Sequence, residues 1–244
     1  MLKIIFISIL TLLVGVSFSQ NKTDANGKQG SWVVKHEDGQ TTRYKGQFKN
    51  GVPIGKFTYY YSTGEPSSSM SFSEKATKSS CKMYHKNGEL MAFGNYVNKQ
   101  KDSTWWFFND RKQVLKQENY KNDKLNGESI VYFPANPKTE KVIKSEVTNY
   151  KNGAYHGEWT QYFKDGKKKA YGLYKNGFFD GQVKWYYPNG KVQTSGWYKH
   201  NVRNGFWKTF DPEGDVDTKT YYYNDKVLEG EKLEKHLEKI RANK

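Results

Sequence analysis

This chain is a tandem repeat for most of its length. Gly157, Gly181 and Gly205 open blocks 24 residues apart, and stepping back by the same interval from Gly127 reaches Ser103, Ser79 and Gly55. Between Gly127 and Gly157 the interval is 30, and the six extra residues fall in the Pro134–Lys141 stretch, with Pro134 and Pro137. Another unit begins near Gly30, giving eight units that end near Leu228. A fixed period of this length means one supersecondary unit stacked on copies of itself, because a single unit cannot bury its own apolar face.

Rings recur in phase with the repeat. Position six is aromatic in units two to eight: Tyr60, Tyr84, Phe108, Tyr132, Tyr162, Tyr186 and Phe210. Position eighteen carries Phe72, Tyr96, Tyr120, Tyr150, Tyr174, Tyr198 and Tyr222, with Phe48 in the first unit. Position three is Trp in four units (Trp32, Trp105, Trp159, Trp207), and Phe57, Cys81, Ser129 or Val183 in the others. Asp38-Gly39, Asn87-Gly88, Asp165-Gly166 and Asn189-Gly190 fall midway through their units, and Asn50-Gly51, Asn152-Gly153 and Asn176-Gly177 near the ends. Such dipeptides supply the positive φ of tight hairpin turns. Each unit therefore reads as two short strands and two turns. The predicted fold is all-β, an elongated array of stacked hairpins about 75 Å long at ~4.8 Å per strand. Positions three and six differ by an odd number, so either both faces carry rings or a bulge re-aims one of them.

Blocks such as Gly157-Glu158-Trp159, Tyr162-Phe163-Lys164-Asp165-Gly166-Lys167 and Gly172-Leu173-Tyr174-Lys175-Asn176-Gly177 resemble MORN repeats. More closely, they resemble the MORN-variant arrays of bacterial YwqK-type antitoxin-like proteins. The resemblance spans Gly30 to Leu228 and is strongest from Gly127 to Asn204. It implies a scaffold, a protein-binding module or a lipid-associated module. An antitoxin role would imply a cytoplasmic partner, whereas the N-terminus here reads as an export signal. Units three and four lack the opening glycine (Ser79, Ser103), and units two and eight replace the second-strand glycine with Met70 and Thr220. Less crowded backbone, or a bend in the array, is expected there.

The first residues form a targeting segment. Lys3 is a positive n-region, Ile4 to Val16 an apolar h-region, and Ser17-Phe18-Ser19 puts small residues at the cleavage positions. Its thirteen apolar residues fall short of the ~20 a spanning helix needs. The expected organisation is a signal peptide over 1–19, a linker over 20–29, the array over 30–228 and a helical cap over 229–244. The cap is read from Leu233, Leu237 and Ile240 at helical spacing. Cleavage before Gln20 would leave a soluble periplasmic or extracellular protein. Cys81 is the sole cysteine, so no internal disulfide holds the fold.

Net charge is +15, with Arg43, Arg111, Arg203 and Arg241 the only arginines. That surplus favours an acidic partner. A lysine-dominated surplus disfavours nucleic acid, whose phosphates and guanines are read bidentately by arginine.

No catalytic constellation is legible. The five histidines lack metal-ligand spacing, Cys81 fills a ring position, and carboxylates do not recur at any inward-facing position. Asp211-Pro212-Glu213-Gly214-Asp215-Val216-Asp217 reads as an acidic hairpin turn rather than a calcium loop. Neither a metal nor a cofactor is expected. For binding, Trp106, Trp185 and Trp197 adjoin ladder residues on the neighbouring phase, with Lys184 and Lys199 beside them. They are the expected site: an aromatic surface flanked by cations, suited to sugars, peptides or an acidic protein partner, unless these rings belong to a second covered face. The alternative is an anionic envelope glycan, polysaccharide or lipid surface. An enzyme is not expected.

Overall fold

The computed structural model describes residues 20–135 and 141–243. The export segment expected over 1–19 lies outside the described residues. Eighteen strands follow one another: β1 (Lys22–Asp24), β2 (Gly27–Lys35), β3 (Thr42–Lys49), β4 (Val52–Tyr60), β5 (Pro66–Phe72), β6 (Lys78–Tyr84), β7 (Leu90–Val97), β8 (Gln100–Phe108) and β9 (Val114–Lys121). Then come β10 (Lys124–Tyr132), β11 (Lys144–Lys151), β12 (Ala154–Tyr162), β13 (Lys168–Lys175), β14 (Phe178–Tyr186), β15 (Val192–Lys199), β16 (Val202–Phe210), β17 (Val216–Tyr223), β18 (Lys226–Leu228) and helix α1 (Gly230–Ala242). Each strand pairs antiparallel with the strands before and after it, so the sheet is one long meander. Strands β2 to β17 make eight hairpins, one per sequence unit.

Turn chemistry sets this pairing. Asn50-Gly51 (φ 51 and 74), Asn152-Gly153 (53 and 87) and Asn176-Gly177 (52 and 90) hold both central residues at positive φ, matching the right-handed twist of the flanking strands. Asn98-Lys99, Asn122-Asp123, His200-Asn201 and Asn224-Asp225 adopt the same pair of angles without glycine. Consecutive units also bond edge to edge at both rows of turns. The amides of Asp123, Asn201 and Asp225 donate to the carbonyls of Lys101, Phe179 and Arg203 one unit back. On the other edge His36 Nε2 and Tyr61 Oη donate to the carbonyls of Tyr60 and Tyr84 one unit ahead, and His85 and Tyr187 repeat the contact with Phe108 and Phe210.

Within a unit, position three lies opposite position sixteen, as in Trp32↔Gly46, Cys81↔Gly94 and Trp207↔Thr220. The position-three ring also covers position sixteen of the unit before. A Cβ on Gly46 would lie 2.3 Å from the Phe57 ring, one on Gly94 2.3 Å from Trp105, and one on Gly196 2.2 Å from Trp207. At two small position-three residues the preceding position sixteen is large, Met70 opposite Cys81 and Glu118 opposite Ser129; Val183 instead faces Gly172, where the Phe179 ring fills the space, and Trp159 faces Thr148. Volume is conserved between units rather than within them. The Met70 substitution is therefore the partner of Cys81, while Thr220 ends the array with no ring to admit. Position-eighteen rings close over the same face, with Phe48 and Phe72 both edge-on to Phe57 at 5.2 Å. Trp105 ends 0% exposed and Phe57 2%.

Both faces carry rings, which resolves the odd spacing of positions three and six. Positions three, five, sixteen and eighteen form a ladder face. Position six points to the opposite face, where Phe108 stacks on Phe93 at 6.0 Å and Lys45 approaches Tyr60 at 5.6 Å. The strand-pair bulge between positions five and six bends each hairpin but leaves this alternation intact.

The ends differ from the outline read off the sequence. Residues 20–29, expected as linker, contain β1 and the start of β2: Asp24 Oδ1 accepts from the Asn26 amide and Gly27 (φ 101) turns the chain back. At the other end Glu229 sits 24 residues after Gly205, where a ninth unit would open, but the chain leaves β18 and winds into α1 from Gly230 (φ 55). None of the helix residues is buried. It rests on the opposite face through His236, whose ring lies 5.6 Å from Tyr221 and 4.5 Å from Tyr223. No helix among the described residues is long and apolar enough to cross a membrane.

Candidate binding surface at the C-terminal end

Between α1 and the opposite face of β14–β17 runs an open groove of about 1260 Å3. Trp197, Phe206 and Tyr221 form its floor, Tyr223 its end, and His236, Lys239 and Ile240 its helical wall. Strand alternation places the floor: Gly196 and Trp207 belong to the ladder face, so their neighbours Trp197 and Phe206 turn the other way. Trp197 is 51% exposed and Phe206 40%, large for rings on adjacent strands of a sheet. Tyr221 is buried, edge-on to Phe206 at 4.9 Å.

Two residues further along each strand runs a row of cations. Lys184 pairs with Ser195, Ser195 with Lys208, and Lys208 with Lys219, all on the groove face. Among the described residues none of these three lysines has an ion-pair partner. Lys219 Nζ instead lies 4.3 Å from the Phe206 ring.

The expected site residues divide. Trp197 lines the groove, Lys184 lies on the same face diagonally across the β14–β15 pair and outside the groove lining, and Lys199 is exposed two residues beyond Trp197. Trp106 shares the face, against Phe93 at 6.5 Å, but β8 and β15 are seven strand spacings apart, about 34 Å. Trp185 does not join this surface. It stands on the ladder face with Val183, 6.1 Å from Trp207. Alternation counted from position six pairs Trp185 with Trp197, whereas position three, two residues before Trp185, sets its face. Phe206, Tyr221, Lys208 and Lys219 were missed for the same reason; counting outward from Trp207 groups Phe206 with Lys208.

The chemically suggestive residues have structural roles. Cys81 is a buried position-three residue, and burial pushes its thiol up from the usual range. Asp211 Oδ1 accepts from the Asp215 amide inside a closed turn. Buried Glu118 accepts from Lys116 Nζ and from Tyr120 Oη, both at 2.7 Å. Among the described residues no group of three or more His, Cys, Asp or Glu side chains could hold a metal ion.

Fold and surface together define a tandem β-hairpin repeat protein of MORN-like architecture. The family model for the MORN repeat variant matches residues 155–176 and 179–200, two adjacent repeats in units six and seven. No curated protein matches. Among solved structures, a porin-like protein from Bacteroides uniformis aligns at 8% identity over 76% of this chain and 87% of that one, with a TM-score of 0.19.

Proposed function

We propose that this chain is an exported, non-catalytic repeat module that binds a partner protein through the groove between α1 and the opposite face. The observation that carries this reading is the solvent-exposed ring pair Trp197 and Phe206 beside buried Tyr221, with lysines along one flank. Exposed rings in a concave, partly apolar site are the usual anchors of protein recognition. The leader read over residues 1–19 supports export, and the charge of +15 supports an acidic partner.

Crosslinking pull-down from the native envelope, followed by mass spectrometry, tests it. Trp197→Ala should abolish capture of the protein held by the wild type, while Trp106→Ala, remote on the same face, should retain it. Equal capture by both variants would sink the assignment. The lysine surplus favours a second reading, an envelope glycan or other polyanion. Raising salt from ~50 to ~200 mM weakens a folded-protein complex moderately. A polyanion complex would weaken far more steeply, through counterion release.

A further inference from the structure

Resting on that reading, we propose that the groove receives an extended segment of the partner in which acidic and apolar side chains alternate. Two parallel rows define the recognition surface. Trp197, Phe206 and Tyr221 stand on β15, β16 and β17; one side-chain period away Lys208 and Lys219 stand on β16 and β17, and the row continues through Ser195 on β15 to Lys184 on β14. The rows are roughly 7 Å apart, two residues along a strand. Both run along the array axis. An extended chain laid in that direction projects successive side chains to opposite sides. Apolar groups then fall over the rings and carboxylates over the lysines.

The sheet itself marks the lysine row as a binding feature. Lys208 and Lys219 are directly opposite each other in the β16–β17 ladder, a placement that destabilises an antiparallel pair. No carboxylate among the described residues offsets it by an ion pair. The Phe206 ring offsets the charge of Lys219 alone. A local rule left broken in this way points to function, and an incoming carboxylate supplies the missing partner. The three cations span three strand spacings, about 14 Å. That length calls for several anionic groups along one chain rather than a single lipid headgroup. The adjoining rings call for apolar groups between them, which a plain polyanion lacks. Lys239 on the helical wall lines the groove itself and adds a fourth cation to the three that flank it.

The test uses synthetic eight-residue peptides and the purified protein. A peptide alternating Glu with Phe or Leu should bind, and one of the same composition with its four Glu in a block should bind at least ~10-fold more weakly. Lys208→Glu should weaken the alternating peptide by at least ~10-fold while raising the melting temperature, because it converts a like-charge pair into an opposite-charge one. Lys82→Glu, on the same face but distant, should leave peptide affinity unchanged. Failure of the alternating peptide to bind, equal affinity for the blocked peptide, or unaltered binding by Lys208→Glu would each overturn the proposal. Capture of phosphatidylglycerol vesicles in place of the peptide would overturn it in favour of a lipid. If these tests fail while Trp197→Ala still loses the native partner, the protein-binding groove stands and only the acidic, alternating segment falls.

Discussion

Ser103 holds φ 62 at the position where Gly30, Gly55, Gly127, Gly157, Gly181 and Gly205 also take positive φ. A side chain there carries a left-handed strain of about 1 kcal/mol that glycine escapes. Ser103→Gly should therefore raise stability by roughly that amount in a thermal or denaturant melt. Ser79 is different: β5 and β6 pair without a register shift, and its φ is ordinary, so Ser79→Gly should bring no gain. Gly196→Ala drives a methyl into the Trp207 indole and should cost about 1–3 kcal/mol. Trp105→Ala, with a fully buried ring, should cost about 3–5 kcal/mol. Tyr186→Ala should cost clearly less, because the Tyr186 ring is only half-buried on the opposite face. The ring positions were legible from their period alone. Which of them would be deeply buried was not, since that depends on the glycine one unit back.

Whole hairpins should be removable, subject to the fit between neighbours. Deleting Gly181–Asn204 brings Gly172 beneath Trp207, a ring over a glycine once the Phe179 ring beside Gly172 turns aside, and should leave a shorter folded protein. Deleting Ser79–Asp102 is the same length but brings Met70 beneath Trp105, two large side chains in one slot. Circular dichroism melts of the two deletions should separate them widely, and equal loss would mean that the rule linking positions three and sixteen is wrong. Removing twelve residues from unit seven should be worse than either, because it breaks register as well as packing. Truncation after Leu228 should cost little stability, since α1 buries none of its own residues. Strand number and turns were readable from Asn-Gly and Asp-Gly spacing. The face on which α1 lies was not, because nothing in its periodicity specifies Tyr221 and Tyr223 as the surface it meets.

Over the whole molecule, half-buried tyrosines pack over a small core, and this gives stability a pH signature. Burial, with Tyr155 and Glu146 nearby, pushes Tyr174 up to about 12. Burial also raises Tyr59, Tyr96, Tyr186, Tyr198 and Tyr221, and burial with the Glu118 carboxylate beside it raises Tyr120. A folded-state value above the unfolded one favours the neutral phenol, so its contribution is complete below pH ~10 and is lost as pH climbs through the folded values. The melting temperature should hold steady from neutrality to about pH 9.5 and fall steeply above ~10. A melting temperature that stayed flat to about pH 12 would contradict packed tyrosines as a source of stability. At this scale the hairpin array was legible because it repeats. The groove was not, because it forms only once, where the repeat stops.

The strictly sequential pairing of strands also fixes how the molecule bears load. Ladder hydrogen bonds run from strand to strand, so a pull between β1 and α1 acts along them and reaches one ladder at a time. Strands loaded this way peel instead of shearing. Each hairpin released hands over 24 residues of slack, roughly 75 Å beyond the length it occupied while folded. Held at its two ends, the protein would behave as a chain of small sacrificial links, lengthening stepwise under modest force while the remaining hairpins stay shut.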